Sequence, residues 1–89
     1  MATSARRTRT WVHSPGQLAF RELIIAARKK AGLTQQELAK RLKRAQSFVA
    51  KYEGGERRVD VVEFIDIAEG IGADPIALLR EIIRRRARR

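Results

Sequence analysis

Residues 32–55 read Gly32-Leu33-Thr34-Gln35-Gln36-Glu37-Leu38-Ala39-Lys40-Arg41-Leu42-Lys43-Arg44-Ala45-Gln46-Ser47-Phe48-Val49-Ala50-Lys51-Tyr52-Glu53-Gly54-Gly55. Thr34 followed three positions later by Glu37 has the form of a capping box, which starts a helix. Leu38, Ala39 and Leu42 then fall on one helical face. A second helix is predicted from about Ala45 to Glu53, with Val49 and Tyr52 turned inward and Gly54-Gly55 ending it. Ala39 lies where the two helices must approach closely, and a larger side chain would push them apart. Leu38, Leu42, Val49 and Tyr52 form the expected wedge that sets the angle between them. With that wedge buried, Gln46, Ser47, Ala50 and Lys51 face outward from the second helix.

The flanking segments supply three more helices. Ser14-Pro15-Gly16-Gln17 reads as an N-cap, a proline at N1 and a glutamine at N3. A first helix follows to about Ala31, with Phe20, Leu23, Ile24 and Ala27 on its core face and Gly32 as its stop. Asp60 opens a fourth helix, in which Val61, Phe64, Ile65 and Ala68 recur at helical spacing and Gly70 and Gly72 mark the end. Asp74-Pro75 opens a fifth, with Ile76, Leu78, Leu79, Ile82 and Ile83 as its apolar residues. Five short helices without a strand pattern predict one compact all-α domain over residues 14–83. A flexible basic arm (residues 1–13), whose Trp11 and Val12 are candidates to fold back, precedes it, and a basic tail (84–89) follows.

Charge and composition narrow the function. The chain has 89 residues, no cysteine and a formal net charge of +10, which points to a polyanionic partner. The charge is segregated. Residues 28–58 carry ten basic side chains against three acids, whereas residues 59–83 carry six acids against Arg80 alone. No apolar run approaches the ~20 residues of a membrane span. His13 is the only histidine, and with no cysteine, phosphate loop or metal-ligand cluster the expectation is no enzyme, no metal and no cofactor. Cytoplasmic localisation, nucleoid-associated through nucleic acid, is expected.

An outward polar helix within a basic surface is how a protein addresses the DNA major groove. The N-terminal residues of such a helix reach base edges; glutamine pairs with adenine N6 and N7, and lysine donates to guanine O6 and N7. Arg44, Lys43, Arg57 and Arg58 flank that helix and are expected on phosphates, which give affinity without sequence information. Arg6, Arg7 and Arg9 are possible arm contacts in a minor groove.

The chain resembles the Cro/C1-type (Xre-like) helix-turn-helix regulators over about residues 18–80. The resemblance is carried by Gly32-Leu33-Thr34-Gln35-x-Glu37-Leu38-Ala39, by Gln46-Ser47-x-Val49-x-Lys51-x-Glu53-x-Gly55, and by Ile67-Ala68 and Ile71-Gly72 through Leu78-Leu79. It implies a five-helix lambda-repressor-like fold that binds a double-stranded DNA operator and regulates transcription, most often as a repressor. It also implies that Gln46, Ser47 and Lys51 read bases, that Gln35 binds a phosphate and buttresses Gln46, and that Arg28 and Glu53 form a buried ion pair. Members of the family usually dimerise. The apolar residues of the fifth helix (Ile76, Leu79, Ile82, Ile83), with the loop before the fourth, are the expected homodimer contact.

The chain departs from the family pattern at Lys43, where most members place a left-handed glycine. Phe48 also stands where a small residue is more common; it is expected to pack against the fourth helix, with contact to a thymine methyl as the alternative. Two alternatives remain open at this point: an antitoxin-type protein that also neutralises a partner toxin, and a nonspecific basic nucleic-acid-binding protein.

Overall fold

The computed structural model describes residues 10–88. A short 3-10 turn (Thr10–His13) leads into five helices: α1 (Pro15–Lys30), α2 (Gln35–Leu42), α3 (Gln46–Glu53), α4 (Val61–Ile71) and α5 (Pro75–Ala87). Four of them begin on a side-chain oxygen that accepts a backbone N–H of the first turn: Ser14, Thr34, Asp60 and Asp74. At Thr34 and Asp60 the box is complete, with Glu37 and Glu63 bonding back to the cap residue's N–H.

The first four helices end alike. The cap residue (α2, α4) or the one after it (α1, α3) turns left-handed, and two backbone N–H groups bond back into the last turn. At α2 these are Lys43 N–H to Lys40 O and Arg44 N–H to Ala39 O. The left-handed residues are Gly32, Lys43, Gly55 and Gly72, with Lys43 (φ 57°, ψ 40°) the single non-glycine among the described residues. The chain thus keeps the family's turn geometry with a side chain in it, at a cost of about 1 kcal/mol.

The core is centred on Ile24, Leu38, Val49, Tyr52 and Ile67, with Ala39, Phe48, Ala68, Ile71 and Leu78 around them. The wedge residues are therefore inside, Leu42 partly so. Three expectations change. α4 buries Ile67, Ala68 and Ile71 and half-buries Phe64, while Val61 and Ile65 are exposed. Two apolar stripes run along α4, and α2 packs on the later one. Gly70 lies inside α4 instead of closing it, because a Cβ there would press on Leu38 and Leu42 at about 3.0 Å. Finally, α5 continues to Ala87, so the first four residues of the expected tail at 84–89 are helical. Arg84 and Arg85 pair with Glu81 one turn back, and Arg86 packs along Gly16 at the start of α1.

Arg28 of α1 and Glu53 at the end of α3 are both buried and joined by two hydrogen bonds of 2.8 and 3.0 Å. Arg28 also donates to Leu33 O in the α1–α2 turn at 2.7 Å, and Gln35 of α2 donates to Glu53 Oε1 at 2.9 Å. One buried carboxylate thus ties three helices together.

Glu53→Ala is expected to cost about 3–5 kcal/mol in denaturant unfolding, because Arg28 is left buried without its partner. The double variant Arg28→Met/Glu53→Leu should recover most of that loss. Lys43→Gly should raise stability by about 0.5–1 kcal/mol, since glycine removes the left-handed strain but is freer when unfolded. In a thermal melt that is a gain in Tm of about 3–6 °C.

Candidate nucleic-acid interface

α3 has two chemically distinct sides. Phe48, Val49, Tyr52 and Glu53 are buried, whereas Gln46, Ser47, Ala50 and Lys51 are exposed. The burial of the first set fixes the outward direction of the second. Ala45 at the N-cap has no side chain able to cap, so the α3 N-terminus makes no side-chain cap bond. Its partial positive charge is left facing outward beside Gln46 and Ser47. Between α2 and α3 runs a groove of about 600 Å³ lined by Thr34, Gln36, Glu37, Ala39, Lys40, Arg44 and Gln46.

Gln35 differs from expectation. Its amide nitrogen is bonded to the Glu53 carboxylate and not to Gln46. The reason is electrostatic: a buried carboxylate facing one arginine still has lone pairs to satisfy, and the neighbouring amide supplies a donor.

The flanking cations fall into separate groups. Lys43 stands exposed in the α2–α3 turn. Arg44 lies over the Phe48 ring, its guanidinium carbon 3.8 Å from the centroid, with Nη1 3.5 Å from Glu63 Oε2. Arg57 donates to both Glu63 oxygens at 2.9 Å, and its guanidinium carbon is 4.8 Å from the same ring. Arg58 instead covers Trp11 at 4.8 Å. Arg6, Arg7 and Arg9 lie outside the described residues.

Phe48 meets Tyr52 edge-on at 5.2 Å and lines a small cavity with Glu63, Asp66 and Ile67 of α4. It packs against the fourth helix, as expected. The Arg57 hydrogen bonds, then the Asp60 N–H, hold the Glu63 carboxyl down at about 2. Hydrogen bonding to Glu53 likewise raises the Arg28 guanidinium above its ordinary value.

One feature of this surface was not read from sequence, and a second was read only as a candidate fold-back of Trp11 and Val12. The first is Glu63 as the common anion of Arg44 and Arg57; the Asp60-x-x-Glu63 capping box was a visible signal for its position, though not for its second role. The second is the root of the arm. Trp11 is covered by Arg58, Val12 O accepts from Arg21 at 2.7 Å, and the Val12 side chain occupies the space a Cβ on Gly55 would need. The arm therefore leaves the domain beside the end of α3. Among the described residues there is no group of acidic, histidine or cysteine side chains able to hold a metal, and no helix long and apolar enough to cross a membrane.

A family profile described as "Helix-turn-helix domain" matches residues 19–82. Among solved structures, the "XRE-family like protein from Pseudomonas syringae pv. tomato str. DC3000" is 47% identical, covering 88% of this chain and 95% of that one with a TM-score of 0.78. A search of curated proteins finds no match.

The position of Glu63 has a pH signature. Its carboxyl titrates at about 2 in the folded protein, against 4.5 ordinarily. The stabilisation is therefore complete above the ordinary value and is lost as pH falls through the folded one. Acid unfolding should show stability declining across that window, and Glu63→Gln should flatten the slope.

Proposed function

We propose a sequence-specific operator-binding regulator, from one premise: this chain belongs to the XRE-type helix-turn-helix family of DNA-binding transcription regulators. The observation that carries the reading is the polarity of α3. Its inner side is locked into the core and its outer side offers Gln46, Ser47 and Lys51 as a continuous polar row. In this reading those three side chains contact base edges in the major groove. Lys43, Arg44 and Arg58 contact phosphates, Arg57 supports them from the α3–α4 loop, and Gln35 uses the rest of its amide on a neighbouring phosphate. The basic arm, rooted beside the end of α3, reaches along the duplex through Arg6, Arg7 and Arg9.

The regulator acts as a homodimer, and by occupying its operator it represses. Support for the dimer comes from apolar surface: Ile76, Leu79 and Ile83 of α5 are 55, 46 and 55% exposed, and Val61 and Val62 at the start of α4 are more exposed still. Ile82 is half-buried instead, lining an apolar cleft with Phe20, Phe64 and Leu79. A two-fold contact through α5 places two α3 helices on half-sites about 34 Å apart. The organisation proposed is an arm before residue 10, a DNA-binding domain through α5, and basic residues at its end. The protein works in the cytoplasm, on the nucleoid.

Selection of binding sites from random duplexes, with the mass of the complex measured in parallel, tests this reading. An enriched two-fold-symmetric site bound by two chains is expected. Gln46→Ala should then lose about 1–3 kcal/mol on the selected site and relax one base pair per half-site. Equal affinity for random and selected duplexes at physiological salt would contradict it.

A further inference from the structure

We propose that Glu63 is a positioning residue for DNA-phosphate contact: with the Phe48 ring it holds the Arg44 guanidinium in one orientation at the entrance to α3. The proposal rests on the DNA-binding reading above and assigns a part of that surface which base-reading does not explain.

The carboxylate is itself immobile. Oε1 accepts the Asp60 N–H at 3.0 Å, which locks Glu63 to the first turn of α4, and both oxygens accept from Arg57 at 2.9 Å. The side chain is 15% exposed. Arg57 alone therefore neutralises Glu63, in the bidentate geometry that suits a guanidinium and a carboxylate. It also donates to its neighbour's carbonyl, Arg58 O, at 2.8 Å.

Arg44 is the surplus cation. Its Nη1 stands 3.5 Å from Glu63 Oε2, an ion-pair distance, while its guanidinium carbon lies over the Phe48 ring. It is held by the field of the carboxylate and by the ring face, with its side chain 42% exposed. Donors not directed at Glu63 remain for an outside anion. Its place in the chain, within the α2–α3 turn and two residues before Gln46, is where the sugar-phosphate backbone borders a helix seated in the groove. Two arginines, one glutamate and one phenylalanine thus make a cluster of net charge +1 whose free arginine is pre-oriented. Phe48 has a role here beyond filling the core: a smaller residue would leave Arg44 without its face.

The division of labour separates this proposal from simple electrostatics. A carboxylate near a phosphate repels it, so removing the Glu63 charge should strengthen binding if charge alone matters. If Glu63 orients Arg44, removing the charge should weaken binding, because an arginine ordered only on contact with DNA adds an entropic cost.

The test compares wild type, Glu63→Gln, Arg44→Ala and the double variant on a short random-sequence duplex at low salt, where contact is with phosphates. Glutamine at this position still accepts the Asp60 N–H, and circular dichroism checks the fold. Wild type is expected to bind, and absence of any binding would refute the DNA-binding reading itself. With wild type bound, Glu63→Gln is expected to weaken affinity about three- to tenfold and to have no further effect when Arg44 is already alanine. Unchanged or tighter binding by Glu63→Gln overturns the proposal, as does an equal loss in the Arg44→Ala background. Should Glu63→Gln fail to fold, Arg44→Lys carries the test: it keeps the charge at an exposed position but loses the flat stacking group. At least threefold weaker binding is expected, and unchanged affinity overturns the proposal.

Discussion

The buried Arg28–Glu53 pair is the constraint from which the rest of this small domain follows. It joins the last turn of α1 to the last turn of α3, and through Leu33 O and Gln35 it also fixes the turn and the helix between them. A pair buried this deeply is weak evidence for net stability, since desolvation offsets much of the attraction. What it enforces is geometry: any packing of α3 that separated the pair would strand a charge inside the protein. The eight residues of α3 are too few to be helical alone. Its direction is set by this strut at one end and by Val49 and Tyr52 along its inner side.

Once α3 is held, the functional face is a consequence of helical periodicity. Gln46, Ser47 and Lys51 face out because Phe48, Val49, Tyr52 and Glu53 cannot. The short α2–α3 turn places Lys43 and Arg44 beside them, at the cost of one strained lysine. Where the family favours glycine for its conformation, this chain keeps the conformation and adds a cation. In the proposed reading that cation lies next to the DNA backbone, where it adds affinity.

Much of this was legible in the residues. Capping boxes, the glycine stops and the 3.6-residue spacing of Leu38, Ala39 and Leu42 are local signals, and they locate the helix starts and the ends of the first four helices within a residue or two. The misreadings concern features decided by tertiary contact. α4 carries two apolar stripes, so periodicity alone does not say that Ile67 and Ile71 are buried while Val61 and Ile65 are not. Gly70 looks like a helix end, but the close approach of α2 is what requires it. The arginines after Ile83 read as a tail because they lack apolar spacing, whereas Glu81 and the start of α1 support another turn of helix. Glu63 illustrates the limit for the site. Its capping role follows from spacing in the chain, but its grip on Arg44 and Arg57 depends on how α4 meets the start of α3.

The central claim is that α3 presents the DNA-contacting surface of this protein. The most direct measurement is a backbone-amide NMR titration of the full chain with duplex DNA carrying its selected site. The account predicts that the largest shift changes cluster from Lys43 to Lys51 and around Gln35, with α4 little affected. Changes confined to the arginine-rich end of α5, or spread evenly over all basic residues, would contradict it.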